Sequence, residues 1–187
     1  MNKLKLGDKN YLYPSPIVLV GASTNGNPNY MPVSFCSIIN RVPAMIAISL
    51  NKSHYTRSMI KENGVFSINI PSADMVEDTD YCGLVSGRDV DKSGLFDTFF
   101  GVLDHAPMIE ECPLNLECKV VHELELEGSN VAIIGQVIET YSDERFLTNH
   151  QPDLKKINPI LLSMYEYNYY SVGEIIGKAW SVGKNKK

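Results

Sequence analysis

The residues best suited to chemistry cluster in one short stretch, SLNKSHYT, which runs from Ser49 to Thr56. Ser49, Asn51, Lys52, Ser53 and Thr56 crowd hydroxyl, amide and ammonium groups at the start of a helix predicted over Tyr55–Asn63. Ser53 is the expected N-cap and Gly64 the C-terminal stop. A helix N-terminus presents unpaired N–H groups and a positive dipole end. Hydroxyls and a lysine gathered there suit an anion, most economically a phosphate. The plainer alternative is a well-capped helix with a solvated lysine. A second polar stretch, SGRDVDKSG over residues 86–94, offers Ser86, Arg88 as a planar fork and Lys92 as a point charge for the same anion; otherwise it is a solvated loop.

Little else in the chain offers reactive chemistry. There is no glycine-rich dinucleotide fingerprint, no GxxxxGK[ST], no GxSxG and no HExxH. His54 stands beside the anion stretch, but it and the scattered His105, His122 and His150 read most simply as exposed loop histidines. Cys36, Cys82, Cys112 and Cys118 form no CxxC pair and have no histidine at zinc-finger spacing. Reduced thiols are expected, with Cys36 acting as a small apolar strand residue. No catalytic acid, base or nucleophile set and no metal site is expected.

Composition narrows the function class. The chain has 187 residues, 44% hydrophobic and 21% charged, which predicts one globular domain over residues 1–187. A net charge of −5 without a basic face argues against nucleic acid. Lys184, Lys186 and Lys187 read as a solvated tail. No apolar run approaches the ~20 residues of a membrane span. The opening MNKLKLGDKNYLYP lacks the apolar stretch of a signal peptide, so a cytoplasmic location is expected.

The elements that must position these residues are mostly strands. β-Rich runs cover residues 17–23, 30–39, 44–50 and Val65–Ile70, with TNGNP as a hairpin turn between the first two. Their short connections favour antiparallel pairing. Ser72 is a candidate cap for a helix reaching Cys82. Residues 95–113 form a long irregular connection anchored by Leu95, Phe96, Phe99, Phe100 and Met108. Residues 114–126 alternate, with Leu114, Leu116, Cys118 and Val120 on one face and Asn115, Glu117 and Lys119 on the other. They form a hairpin with residues 131–141 across Gly128, Ser129 and Asn130. Residues 142–158 read as a short helix and loops, and 160–164 as a last strand. Tyr165, Tyr167, Tyr169 and Tyr170 are core, interface, or a flat wall for an aromatic ligand. The result predicted is a mainly β chain with a few helices, closed into an antiparallel barrel.

Several of these stretches together resemble the flavin reductase-like family of the FMN-binding split-barrel fold, and flavoredoxins in particular. They are YPSPIVLVGA with PNYM, VPAMIAISLNKSHYT, DYCGLVSGRDVDK, CPLNLECKVVH and the closing YYSVGEIIGKAWSVGK. The likeness spans nearly the whole chain. It implies an antiparallel split β-barrel and a homodimer with one FMN per subunit near the dimer interface. It further implies that Asn29, Ser34 and Phe35 lie by the isoalloxazine ring, with the backbone of Ser49, Leu50 and Asn51 passing along it. Ser53, Thr56, Ser86, Arg88 and Lys92 would hold the phosphate. The Ser129–Asn130 turn and Tyr170 would close the site, in part from the partner subunit. The chain departs from flavoredoxins at Phe35, where a tryptophan is expected, and at Ser129 or Asn130, where a histidine is expected.

Three functions are consistent with these residues. One is an FMN oxidoreductase that takes a hydride from NADH or NADPH. Another is an FMN electron carrier that exchanges electrons with a redox protein. The third is a non-redox barrel that binds a small ligand. A flavin carries its own redox chemistry, so the missing acid, base or nucleophile set is expected under the first two.

Overall fold

The β-branched run ahead of the Asn-Gly turn forms the first long strand of the computed structural model, which describes residues 1–184 and 186. After the short β1 (Ser15–Pro16), β2 (Val18–Thr24) turns at Asn25 and Gly26, whose φ values of 53° and 79° suit a tight hairpin. It returns as β3 (Asn27–Val33). The chain breaks at Ser34 and Phe35, then resumes as β4 (Cys36–Asn40), which pairs with β5 (Met45–Asn51). The one strand expected over 30–39 is therefore two, because the chain leaves one sheet edge there and joins the other.

α1 (Tyr55–Asn63) follows and buries Thr56, Met59 and Ile60; Gly64 ends it at φ 69° with its N–H on the Ile60 carbonyl. Its N-cap is His54, not Ser53, and no side chain caps it. Asn51 explains the difference. Its Oδ1 accepts the Ser53 N–H at 2.9 Å and the Ser53 hydroxyl at 2.8 Å, so the serine is committed to an Asx turn. β6 (Val65–Ile70) leads to a 3₁₀ turn (Ala73–Met75) and α2 (Val76–Leu84); Ser72 precedes the turn without a side-chain cap bond.

The connection over 95–113 carries the small pair β7 (Thr98–Phe99) and β8 (Met108–Ile109), with Phe96 and Met108 buried. β9 (Leu114–Glu125) and β10 (Asn130–Ser142) form the long hairpin. Gly135 lets β10 cross Phe66, whose ring a Cβ would strike. Asn115 and Glu117 are buried although they lie on the polar face of β9, because the 95–113 connection roofs that face. β11 (Leu147–Thr148), β12 (Gln151–Pro152) and α3 (Leu154–Ile157) precede β13 (Leu161–Ser163), which pairs with both β1 and β14 (Asn168–Tyr170).

The large sheet runs β3-β2-β6-β9-β10-β5-β4 with antiparallel neighbours throughout. β3 and β4 are its two edges, yet only Ser34 and Phe35 separate them in the chain. Three Cα steps span at most about 11 Å, so the sheet must curl until its edges nearly meet. The edges are not hydrogen-bonded to each other, so the barrel is split, as the family resemblance implies, and not closed as the strand pattern alone predicts. Pro28 and Pro32 on β3 lack the N–H groups a closing ladder needs. Val20, Ile48, Leu50, Ile60, Phe66, Ile68 and Ile133 fill the interior.

Tyr165 packs on Tyr11 with ring centroids 4.4 Å apart, whereas Tyr167, Tyr169 and Tyr170 are exposed and do not serve as core. Among the described residues no helix is long and apolar enough to cross a membrane. Of the C-terminal lysines, Lys187 lies outside the described residues.

Candidate functional site

A cleft of about 470 Å³ opens between the start of α1, the end of α2 and the 86–92 loop. Thr56 faces it from the buried side of α1 and accepts the Asn29 amide Nδ2–H at 2.7 Å, which leaves the threonine proton free to donate. Asn29 is itself buried, and its Oδ1 has no partner. That oxygen lies against Gly87, where a Cβ would collide with it, so the close approach of this loop requires glycine.

Two cations line the cleft. Arg88 donates to the Ser53 carbonyl at 3.0 Å and lies 5.6 Å over the Tyr55 ring, tying the 86–92 loop to the start of α1. The Ser86 hydroxyl accepts the Arg88 N–H at 3.2 Å, which shapes the turn. Lys92 differs from the free point charge expected. It is buried, and its Nζ donates to the carbonyls of Tyr30 at 2.7 Å, Cys82 at 3.1 Å and Val85 at 3.3 Å. Desolvation lowers its pKa, since its nearest partners are neutral. No carboxylate lines this cleft among the described residues. A chain of net charge −5 thus holds a cationic hollow.

A second hollow of about 280 Å³ continues from the first, sharing Met31, Pro32 and His54 with it. Ser34, Phe35, Ser49, Asn51 and Asn130 line it. Phe35 is 40% exposed, and its carbonyl accepts the Ser49 N–H at 2.9 Å. The Ser34 hydroxyl points to Met164 Sδ at 3.9 Å. β5 alternates, so Ser49 and Asn51 face this hollow while Leu50 enters the core. His54 sits in the wall between the two ends, its pKa lowered by desolvation. Polarity therefore changes along the joined cleft, from a cationic end to an apolar end edged with hydroxyl and amide groups. A ligand with an anionic tail and a flat head matches that gradient.

Residues 10–171 match the model of the flavin reductase like domain. The chain belongs to this family. Its structure superposes on a flavoredoxin from Methanosarcina acetivorans with a TM-score of 0.95 at 47% identity, covering 98% of each chain. A flavoredoxin from Desulfovibrio vulgaris (Miyazaki F) superposes at 0.90 and 34% identity, over 98% of this chain and 100% of that one. An FMN-binding protein from Thermus thermophilus shares the fold, with a TM-score of 0.81 at 19% identity over 95% of this chain and 97% of that one.

Most of the expected site residues of this flavin reductase like domain converge, and Asn29 is the one that differs in place. Asn29 joins Thr56 at the cationic end, away from Ser34 and Phe35. Leu50 has its side chain in the core, so only its backbone is left for the site, as the resemblance implies. Tyr170 does not line the cleft of its own chain; it is half-exposed on β14 and its hydroxyl donates to Glu166 at 3.1 Å. Sequence reasoning also missed Tyr55 and Met164. By its spacing from Met59 and Ile60, Tyr55 reads as part of the apolar face of α1. Met164 has no local signal, since it reaches the cleft only after β13 docks on β1.

Proposed function

We propose that the chain binds FMN along the joined cleft and moves electrons through it, as an oxidoreductase of the flavin reductase and flavoredoxin type. The observation that carries this reading is the cleft itself: a carboxylate-free cationic end that shares Met31, Pro32 and His54 with an end walled by Val33, Phe35 and Met164 and edged with hydroxyl and amide groups. The free Thr56 proton, Arg88 and the N-terminus of α1 would hold the phosphate. The buried charge of Lys92, which has no acidic counter-ion among the described residues, would be matched by that dianion. Met31, Pro32 and Phe35 would pack against the ring, with Ser34, Ser49, Asn51 and Asn130 along its polar edge. Bound FMN supplies hydride and electron chemistry; the protein supplies position and electrostatics. One terminal phosphate suffices for the cationic end, hence FMN rather than FAD.

The chain is further proposed to act in the cytoplasm as a single-domain homodimer, taking electrons from NADH, NADPH or a redox protein. The partly exposed Phe35 leaves the ring end open to such a donor. NADH added under argon to the FMN-loaded protein is expected to bleach the flavin band. A band that bleaches with dithionite but not with NADH or NADPH favours the electron carrier and rejects nicotinamide dependence.

A further inference from the structure

A directed chain of hydrogen bonds closes the apolar end of the cleft. The Ser129 hydroxyl donates to Asn130 Oδ1 at 3.0 Å. Asn130 Nδ2 in turn donates to Ser49 Oγ at 3.1 Å. Ser49 therefore receives a hydrogen bond, and its own proton has no acceptor among the described residues. Its backbone is held twice, by pairing with Ala132 on β10 and by its N–H on the Phe35 carbonyl. Ser49 and Asn130 both line the hollow beside Phe35. A hydroxyl that accepts from one side is polarised to donate on the other.

We propose that Ser49 is a preset hydrogen-bond donor to the polar edge of the bound ring, aimed by the Ser129–Asn130 chain, and that it favours the reduced, more electron-rich ligand over the oxidised one. The proposal rests on the flavin reading and adds a residue that tunes it. A donor strengthens its bond as negative charge builds on the acceptor, and charge-assisted bonds are roughly twice as strong as neutral ones. Ser49 acts on the ring directly; Asn130 and Ser129 are positioning residues.

The test compares two quantities in the FMN-loaded protein, the dissociation constant of oxidised FMN by fluorescence and the two-electron midpoint potential by anaerobic dye equilibration. Ser49→Ala is expected to lower the affinity for reduced FMN relative to oxidised FMN about tenfold, which is about 30 mV in the potential. Ser49→Thr, which keeps the hydroxyl, is expected to restore the wild-type value. Asn130→Ala keeps the serine but loses its aim, and its potential is expected between the two. If Ser49→Ala does not load with FMN, the Asn130→Ala potential decides alone. A potential unchanged in these variants, with only the affinity altered, reduces the chain of bonds to a packing role and overturns the proposal. Wild-type protein that takes up no FMN overturns the flavin reading itself, and this inference with it.

Discussion

Arg88 is the residue on which the cationic end of the cleft can be tested with least disturbance to the fold. Its guanidinium is exposed and its contacts are the Ser53 carbonyl and the Tyr55 ring. A charged hydrogen bond contributes about 1.5–3 kcal/mol, and exposure places Arg88 at the lower end. Arg88→Ala is therefore expected to weaken FMN roughly tenfold and leave riboflavin, which lacks the phosphate, nearly unchanged. Thr56→Val is expected to cost less, as a neutral bond is worth about 0.5–1.5 kcal/mol. Equal losses for FMN and riboflavin in a fluorescence titration would show that neither residue meets the phosphate. Lys92 calls for a different experiment. Its charge was legible in the sequence, but its three carbonyl partners come from β3, α2 and the residue after α2, and no local pattern announces them. Lys92→Met strands those buried acceptors, each worth roughly 1–3 kcal/mol when unsatisfied. A clear fall in the urea midpoint without ligand is expected, and an unchanged midpoint would contradict a bracing role.

At the scale of elements, the 95–113 connection is held down by one carboxylate. Glu117 is fully buried on β9 and accepts from the Val102 N–H at 2.9 Å, the Leu103 N–H at 2.7 Å and the Tyr141 hydroxyl at 2.7 Å. The acid raises the Tyr141 pKa to about 12 by holding the phenolic proton. Gly101 has no room for a Cβ between Tyr141 and Glu117. In Glu117→Gln one acceptor becomes an NH₂ facing a donor, so the loss should be roughly 1–3 kcal/mol. Hydrogen exchange is expected to quicken over 95–113 and not over α1; protection unchanged in that connection would remove Glu117 as its anchor. The alternation of β9 was legible in the sequence, whereas its burial on both faces was not, because the roof is a segment without periodicity of its own. The break at Ser34 and Phe35 was hidden for a similar reason. Residues 30–39 are uniformly compatible with a strand, and only the choice of pairing partners splits them.

For the whole molecule, the antiparallel mainly β architecture was legible from short connections and alternating runs. The open seam was legible only through the family resemblance and not from the strand pattern, since it depends on where the two edges of a seven-stranded sheet come to rest. Burial of the thiols gives the fold a definite response to alkali. Burial pushes Cys36 and Cys82 up to about 11 and Cys118 up to about 12, and raises Cys112 and Tyr30 as well. The unfolded chain releases thiol protons from about pH 8.5 that the folded chain keeps, so stability falls as pH rises beyond that point. The urea midpoint is expected to be lower at pH 9.5 than at pH 7.5; a midpoint that holds or rises would contradict this. Exposed Ile38, Ile39 and Val42 on and beside the edge strand β4 are consistent with a twofold partner, and light scattering of the FMN-loaded protein should exceed the 20.9 kDa of one chain. A mass of one chain at micromolar concentration would reject the dimer. The most direct test of the account is a fluorescence titration of flavin-free protein with FMN. It predicts quenching that saturates at one FMN per chain, and folded protein that leaves FMN fluorescence unchanged in excess would contradict it.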